Sequence, residues 1–274
     1  MNNNSEHIKQ AESAFWDYKY GHEESMYRAN RDQYFHDLFK KPMRELPRPA
    51  KILEIACGAR TDGIELARDG HSLTELDISA VAVERARAIF KSQNLIGEFV
   101  VGDAEHLPFA DETFDAVFTA ASFHHFPDPL AALAEMKRVT KNNGLIILGV
   151  EPAAWPYYTI YFILKPLKWL IRKLNPRPLN SIADDECAGF TEKNFRKLFK
   201  KIDIKILQIQ RVKYLQEIAE QSQRLFSRLR RTTPCHPERS RGTCLQTIDR
   251  ALSQIPILKN LNWHFNVIGK KQCS

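Results

Sequence analysis

A glycine and an acid at a telling separation carry the first chemical signal in this sequence. Gly58 lies in the small-residue turn Ala56-Cys57-Gly58-Ala59, and Asp77 follows 19 residues later. Glycine lets a backbone approach a ligand, the helix after such a turn offers unpaired N–H groups, and a carboxylate accepts from two vicinal hydroxyls. About 20 residues is the spacing at which a nucleotide-binding sheet sets an acid against a ribose. Farther along, His124 and His125 are adjacent, and Glu151 follows them. Imidazoles titrate near neutral pH and suit proton transfer, with a carboxylate as a second candidate. The chain has no GK[ST] phosphate loop, no HExxH and no GxSxG elbow. Cys235, His236 and Cys244 are too few and too poorly spaced for a metal site, so no metal is expected.

These residues need a frame that brings strand ends together. Ile52, Leu53 and Ile55 form an apolar run for a buried parallel strand, and residues 61–69 turn helical with Gly70 as a left-handed cap. Residues 72–77 read as a second strand. Ser79 is placed to cap a helix through Phe90 with Val83, Ala86 and Phe90 on one face. A third strand spans 99–101, and a fourth runs from Phe114 to about Ala120. Asp128-Pro129 starts a helix through Thr140 with Leu130, Leu133, Met136 and Val139 inward, and Asn143-Gly144 turns into a buried strand over 145–150. Five strands with intervening helices predict a doubly wound α/β sheet. Beyond it, residues 191–201 read as a helix, 202–209 as a strand, 216–231 as a basic amphipathic helix, 244–252 as another helix and 263–268 as a last strand.

With 274 residues, one large domain with accessory segments fits better than two equal ones. Residues 1–49 form an aromatic helical preface suited to a lid, residues 50–152 the core, and 153–274 the helices and strands that complete the same domain. Residues 231–244 are turn-rich and read as a disordered loop. MNNNSEHIKQ is polar with no apolar run behind it, and the five cysteines are scattered, so a reducing cytoplasm is expected. Residues 1–150 carry 17 basic and 23 acidic side chains, a net −6, while residues 151–274 carry 23 and 10, a net +13. The basic half suits an anionic substrate, a membrane surface or a nucleic acid, or is simply a solvated face. Residues 155–173 (WPYYTIYFILKPLKWLIRK) are too short and interrupted for a confident span. They fit a lid over an apolar acceptor, an interfacial helix giving peripheral membrane contact, or a buried helix.

Taken in order, ILEIACG, the acid in LTELDIS, GDAEHLPFADETFDAVF, the HHFPDP segment and KRVTKNNGLIILGVEP resemble the class I S-adenosylmethionine-dependent methyltransferases, and the type 11 methyltransferase domain in particular. The resemblance covers roughly Lys51 to Pro152. It implies a mostly parallel seven-stranded sheet with helices on both faces and an antiparallel C-terminal edge strand, and S-adenosyl-L-methionine as cofactor. Carried onto this chain, it implies that Glu54 and Gly58 shape the pocket for the cofactor's methionine end and that Asp77 holds the ribose. Asp103 and Ala104 would sit at the adenine, with Ile78 on the ring's other face and Ala120 at the crevice. Ala56 and Arg60 stand where the family usually has glycines, and Arg60 would either pair with the cofactor's carboxylate or block the site.

Methyl transfer from a sulfonium is an in-line displacement in which positioning supplies much of the acceleration and a base helps where a proton must leave. His125, His124 and Glu151 are the candidates for that base. The expected acceptor is a small or lipid-like molecule, hydrophobic or anionic. Nucleic acid is not expected, since an [Asn/Asp]-Pro-Pro-aromatic tetrad is replaced by TAASFHH. Two other readings are a catalytically silent binding or scaffolding protein and a nicotinamide-dependent oxidoreductase.

Overall fold

A computed structural model describes residues 3–22, 30–59, 61–154, 189–212 and 264–272. Arg60, the segment 155–173, and the helices and loop expected over 216–252 lie outside the described residues, as do Met26 and Tyr27 of the preface.

The apolar runs become strands because both of their faces are covered. The sheet is built from β1 (Lys51–Ile55), β2 (Ser72–Asp77), β3 (Gly97–Val101), β4 (Phe114–Ala120), β5 (Thr140–Pro152), β6 (Ile204–Val212) and β7 (His264–Lys271). Their order is β3-β2-β1-β4-β5-β7-β6. The first five are parallel, and β7 runs antiparallel to both β5 and β6. Leu53, Ile55, Val117, Ile146 and Leu148 bury one face of the sheet against α5 (Pro129–Val139) and α6 (Glu192–Lys201) through Leu133, Met136, Phe195 and Phe199. Ile52, Phe118 and Ile147 point the other way, onto Phe39 and Met43 of α2 (Asn30–Arg44), Leu66 of α3 (Gly63–Arg68) and Phe90 of α4 (Ala80–Ser92). The period-two alternation of the strands therefore feeds two apolar layers, as a doubly wound sheet requires.

Helix starts follow their caps. The Ser79 hydroxyl accepts from Ala82 N, and the Asp128 carboxylate accepts from Leu130 N and Ala131 N. Thr191 and Asn194 form a reciprocal capping box on α6. Boundaries differ from the sequence expectation where side chains intervene. The helix expected from residue 61 starts at Gly63, because the Thr61 hydroxyl is engaged by two glutamates. The strand expected over 202–209 begins at Ile204, because Ile202 caps α6 and Asp203 turns at φ +54°. β5 starts at Thr140, with Asn143 at φ +63° inside it. The antiparallel C-terminal strand is second from the edge, between β5 and β6, with β6 outermost.

Helix α2 sits so close to β5 that a side chain on Gly149 has no room. A Cβ there would stand 2.6 Å from the Phe39 ring, in contact no real pair tolerates. Gly149→Ala is therefore expected to cost roughly 1–3 kcal/mol through overpacking, read as a lower urea midpoint with an unchanged slope.

Candidate functional site

The end of β1 is shaped by a buried carboxylate. Glu54, 2% exposed, accepts from Asp62 N at 3.1 Å, Gly63 N at 2.7 Å and the Thr61 hydroxyl at 2.5 Å, tying the strand to the start of α3. Glu75 lies beside it in register on β2, is fully buried, and has Oε1 2.9 Å from the same hydroxyl oxygen. Its second carboxylate oxygen has no hydrogen-bond partner. Burial and the neighbouring Asp62 push the Glu54 carboxyl up to about 7, and burial with Glu54 pushes Glu75 well above the carboxylate range. Behind them, Lys40 Nζ and His36 Nδ1 of α2 stand 3.3 and 2.9 Å from the Asp62 carboxylate.

Between β1 and α3 the chain passes through Ala56 at φ +54° and Gly58 at φ +62°. Gly58 adopts this freely, and its missing side chain makes room for the Tyr20 hydroxyl, 3.0 Å from where a Cβ would be. Ala56 adopts it at a cost. At the end of β2, Asp77 Oδ2 accepts from Gly58 N and Oδ1 from Ser79 N, both at 2.9 Å. Burial pushes its carboxyl up, against the pull of those two N–H groups. Past β3, Asp103 Oδ1 accepts from Glu105 N, while its Oδ2 takes Lys9 Nζ at 2.7 Å and His106 Nδ1 at 3.1 Å. Burial opposes the ionised form of Asp103, and Lys9, the Glu105 N–H and His106 together outweigh it, holding the carboxyl below its usual range. Ala104 and Ala120 are buried and small, and Ile78 is half-buried.

Helix α1 (Asn3–His22) lies across this row of strand ends. Lys9 reaches Asp103 and Glu105, the Ser13 hydroxyl donates to Ile78 O at 3.2 Å, and Asp17 accepts from the Ser79 hydroxyl and Val81 N. Tyr20 closes over Gly58. The sequence reading found the preface through its aromatics and missed Lys9 and Asp17. Their spacing of 9, 13, 16, 17 and 20 is one helical face and was the available signal.

Beyond β4, residues 123–125 form a single 3₁₀ turn. Glu151, fully buried on β5, accepts from Ser122 N, Phe123 N and His124 N at 3.1, 2.9 and 3.2 Å, and stands 3.0 Å from His124 Nδ1. Its carboxylate is thus turned onto the turn's N–H groups and the His124 ring. The backbone is strained where it delivers Glu151. Val150 takes φ +54°, unusual for a β-branched residue, at an irregularity in the β5–β7 ladder, and its N–H donates to the buried Asn266 Oδ1 at 2.7 Å. The His125 ring centroid lies 4.2 Å from that of His124.

Residues 53–148 match the family profile described as a methyltransferase domain. The matched stretch runs from within β1 to within β5. The curated relatives include a demethylmenaquinone methyltransferase of Thermotoga maritima, 40% identical over 107 residues, covering 38% of this chain and 45% of the relative. One of Renibacterium salmoninarum is 30% identical over 132 residues, covering 47% and 54%. The chain spans about half the length of the curated relatives it matches. In fold it is similar to a SAM-dependent methyltransferase of Methanosarcina mazei, with TM-score 0.56 and 22% identity over 85% of this chain and 98% of that one. It is also similar to the [4+2]-cyclase SpnF, with TM-score 0.58 and 17% identity over 92% and 86%.

S-adenosylmethionine is the cofactor this domain family implies, and the donor set fits it. Glycine-lined backbone and two acids stand at the ends of β1, β2 and β3, where an open α/β sheet forms its crevice. Asp77 keeps lone pairs beyond its two N–H bonds. Asp103 is shared with Lys9, so α1 contributes to the same crevice. Of the residues singled out from sequence, Glu54, Ala56, Gly58, Asp77, Ile78, Asp103 and Ala104 gather along these three strand ends. His124, His125, Glu151 and Ala120 gather beside them past β4 and β5. Among the described residues, no group of three or more metal-ligating side chains is placed to hold an ion.

Two measurements follow from this geometry. Ala56→Gly relieves a left-handed alanine and is expected to raise stability by about 1 kcal/mol, seen as a higher urea midpoint. A carboxyl whose folded pKa is raised binds more protons folded than unfolded, so its stabilising contribution is complete below the ordinary value of 4.5 and is lost as pH rises to about 7. Stability should therefore fall from about pH 5 to about pH 8 by roughly 2–3 kcal/mol for such a shift. Glu75→Gln should flatten that slope in urea titrations.

Proposed function

We propose that the protein is an S-adenosylmethionine-dependent methyltransferase acting on a small apolar acceptor, with a reduced quinone ring as the acceptor class. The observation that carries the reading is the set of Gly58, Asp77 and Asp103 at consecutive strand ends inside the matched domain. The acceptor class is supported by the demethylmenaquinone methyltransferases among the relatives and by the aromatic, apolar sequence of residues 155–173. That segment also suits contact with a membrane surface, from which a greasy quinone would be drawn. Among the described residues, no helix is long and apolar enough to cross a membrane.

When bound, the cofactor supplies a methyl group on a positively charged sulfur. Asp77 would accept from the ribose hydroxyls while Gly58 and Ser79 hold its carboxylate still. Asp103 would accept from the adenine amine, with Ala104 leaving space for the ring. Glu54 stays behind the turn and keeps the α3 N–H groups in place. A hydroquinone gives up a proton on methylation, and His125 or His124 would take it. His124 is oriented by Glu151. Burial of the 3₁₀ turn through Phe123 keeps this side of the site dry.

Isothermal titration with S-adenosylhomocysteine should show binding, and its absence at millimolar ligand would favour a silent binding protein. Asp77→Ala should weaken that affinity about tenfold, as loss of a charge-assisted hydrogen bond does. Unchanged affinity would remove Asp77 from the ribose site. Incubation with methyl-labelled cofactor and a reduced naphthoquinone lacking the ring methyl should move label into the organic phase.

A further inference from the structure

The carboxylate of Glu12 stands in the middle of α1, far in sequence from the histidines, and is 5% exposed. Its Oε2 accepts from Trp16 Nε1 at 3.0 Å and lies 3.3 Å from His125 Nδ1. The Trp16 ring meets the His125 ring edge-on, with centroids 5.5 Å apart and planes at 80°. On its other side the His125 ring rests against His124, whose own Nδ1 is held by Glu151. Each of the two histidines is thus backed, on the same ring nitrogen, by a buried carboxylate from a different element. A carboxylate that is almost wholly desolvated must be compensated; the Trp16 indole N–H donates to this one, and His125 Nδ1 stands beside the same oxygen.

We propose that Glu12 is a positioning residue for proton transfer at His125. Standing beside Nδ1, its carboxylate favours the neutral tautomer with the proton on Nδ1 and Nε2 unprotonated, and with Trp16 it sets the plane of the ring. The inference rests on the reading of His125 as the group that takes the acceptor's proton. In that step the proton leaves the acceptor for Nε2, Nδ1 keeps its own, and the imidazolium formed lies against the Glu12 carboxylate until Nε2 releases the proton to water. Because Glu12 rides on α1, the pairing with His125 depends on this helix lying across the strand ends.

Nitrogen-15 NMR of the full chain at a pH where the imidazoles are neutral tests this without cofactor or acceptor. With His125 assigned by loss of its signals in His125→Asn, the expected spectrum has a protonated Nδ1 and a bare Nε2, and a protonated Nε2 would overturn the proposal. Glu12→Leu should mix the two tautomers, whereas Glu12→Gln, whose amide oxygen still accepts, should preserve the wild-type one. A wild-type tautomer in Glu12→Leu would also overturn it, and the wild-type spectrum decides the matter if that variant does not fold. In turnover, Glu12→Leu should lower kcat at least about tenfold, within the range a general base supplies, with cofactor affinity within about twofold and most of the rate restored in Glu12→Gln. If no methyl transfer occurs with any acceptor while the tautomer shifts as described, Glu12 stands as the orienting group and the enzymatic reading falls instead.

Discussion

Carboxylates at the carboxyl ends of strands, held by backbone N–H groups, are the constraint on which this structure depends. Glu54 takes two N–H groups of the first turn of α3, Asp77 takes those of Gly58 and Ser79, Asp103 takes that of Glu105, and Glu151 takes three from the turn beyond β4. Each acid stitches its strand to a loop that begins beyond it or beyond a neighbouring strand. Leaving any such group buried and unpaired would cost several kcal/mol.

The same arrangement concentrates strain and charge where a ligand would sit. Ala56, Ala121 and Val150, all with left-handed backbones, lie at the ends of β1, β4 and β5. Residues in that region persist only when their surroundings over-determine them, and such positions cluster at functional sites. Here the surroundings are visible, since Cys57 N donates to Leu76 O, Ala121 N to Gly149 O, and Val150 N to the Asn266 side chain. Helix α1 completes the edge by meeting the row of acids with Lys9 and the glycine turn with Tyr20. Its own acid, Glu12, faces His125.

Proteins of different chemistry are similar to this chain in fold alone, among them a methyltransferase and a cyclase. What separates the possibilities is the site. In this chain it is the pairing of a row of acids at the ends of β1 to β3 with two histidines beyond β4, each beside a buried carboxylate. The first half suits holding a nucleoside, and the second suits moving a proton.

Strand and helix order was legible in the sequence because each element carries its own local cause. Apolar runs such as Ile52 to Ile55 need cover on two faces, Ser79 and Asp128 cap in place, and Gly70 turns at φ +91°. The spacing from Gly58 to Asp77 was readable for the same reason: one strand, one turn and one helix fix how far apart two strand ends lie along the chain. Pairings across long separations were not readable, because nothing local encodes them. Lys9 with Asp103, Glu12 with His125, Asn266 with Val150 and Glu151 with the turn at 122–124 arise only once the sheet has set the order of its strands and α1 has packed across their ends. The sequence by itself determined which residue types stand at strand ends, and tertiary packing alone decided which of them are buried together and so must share their protons.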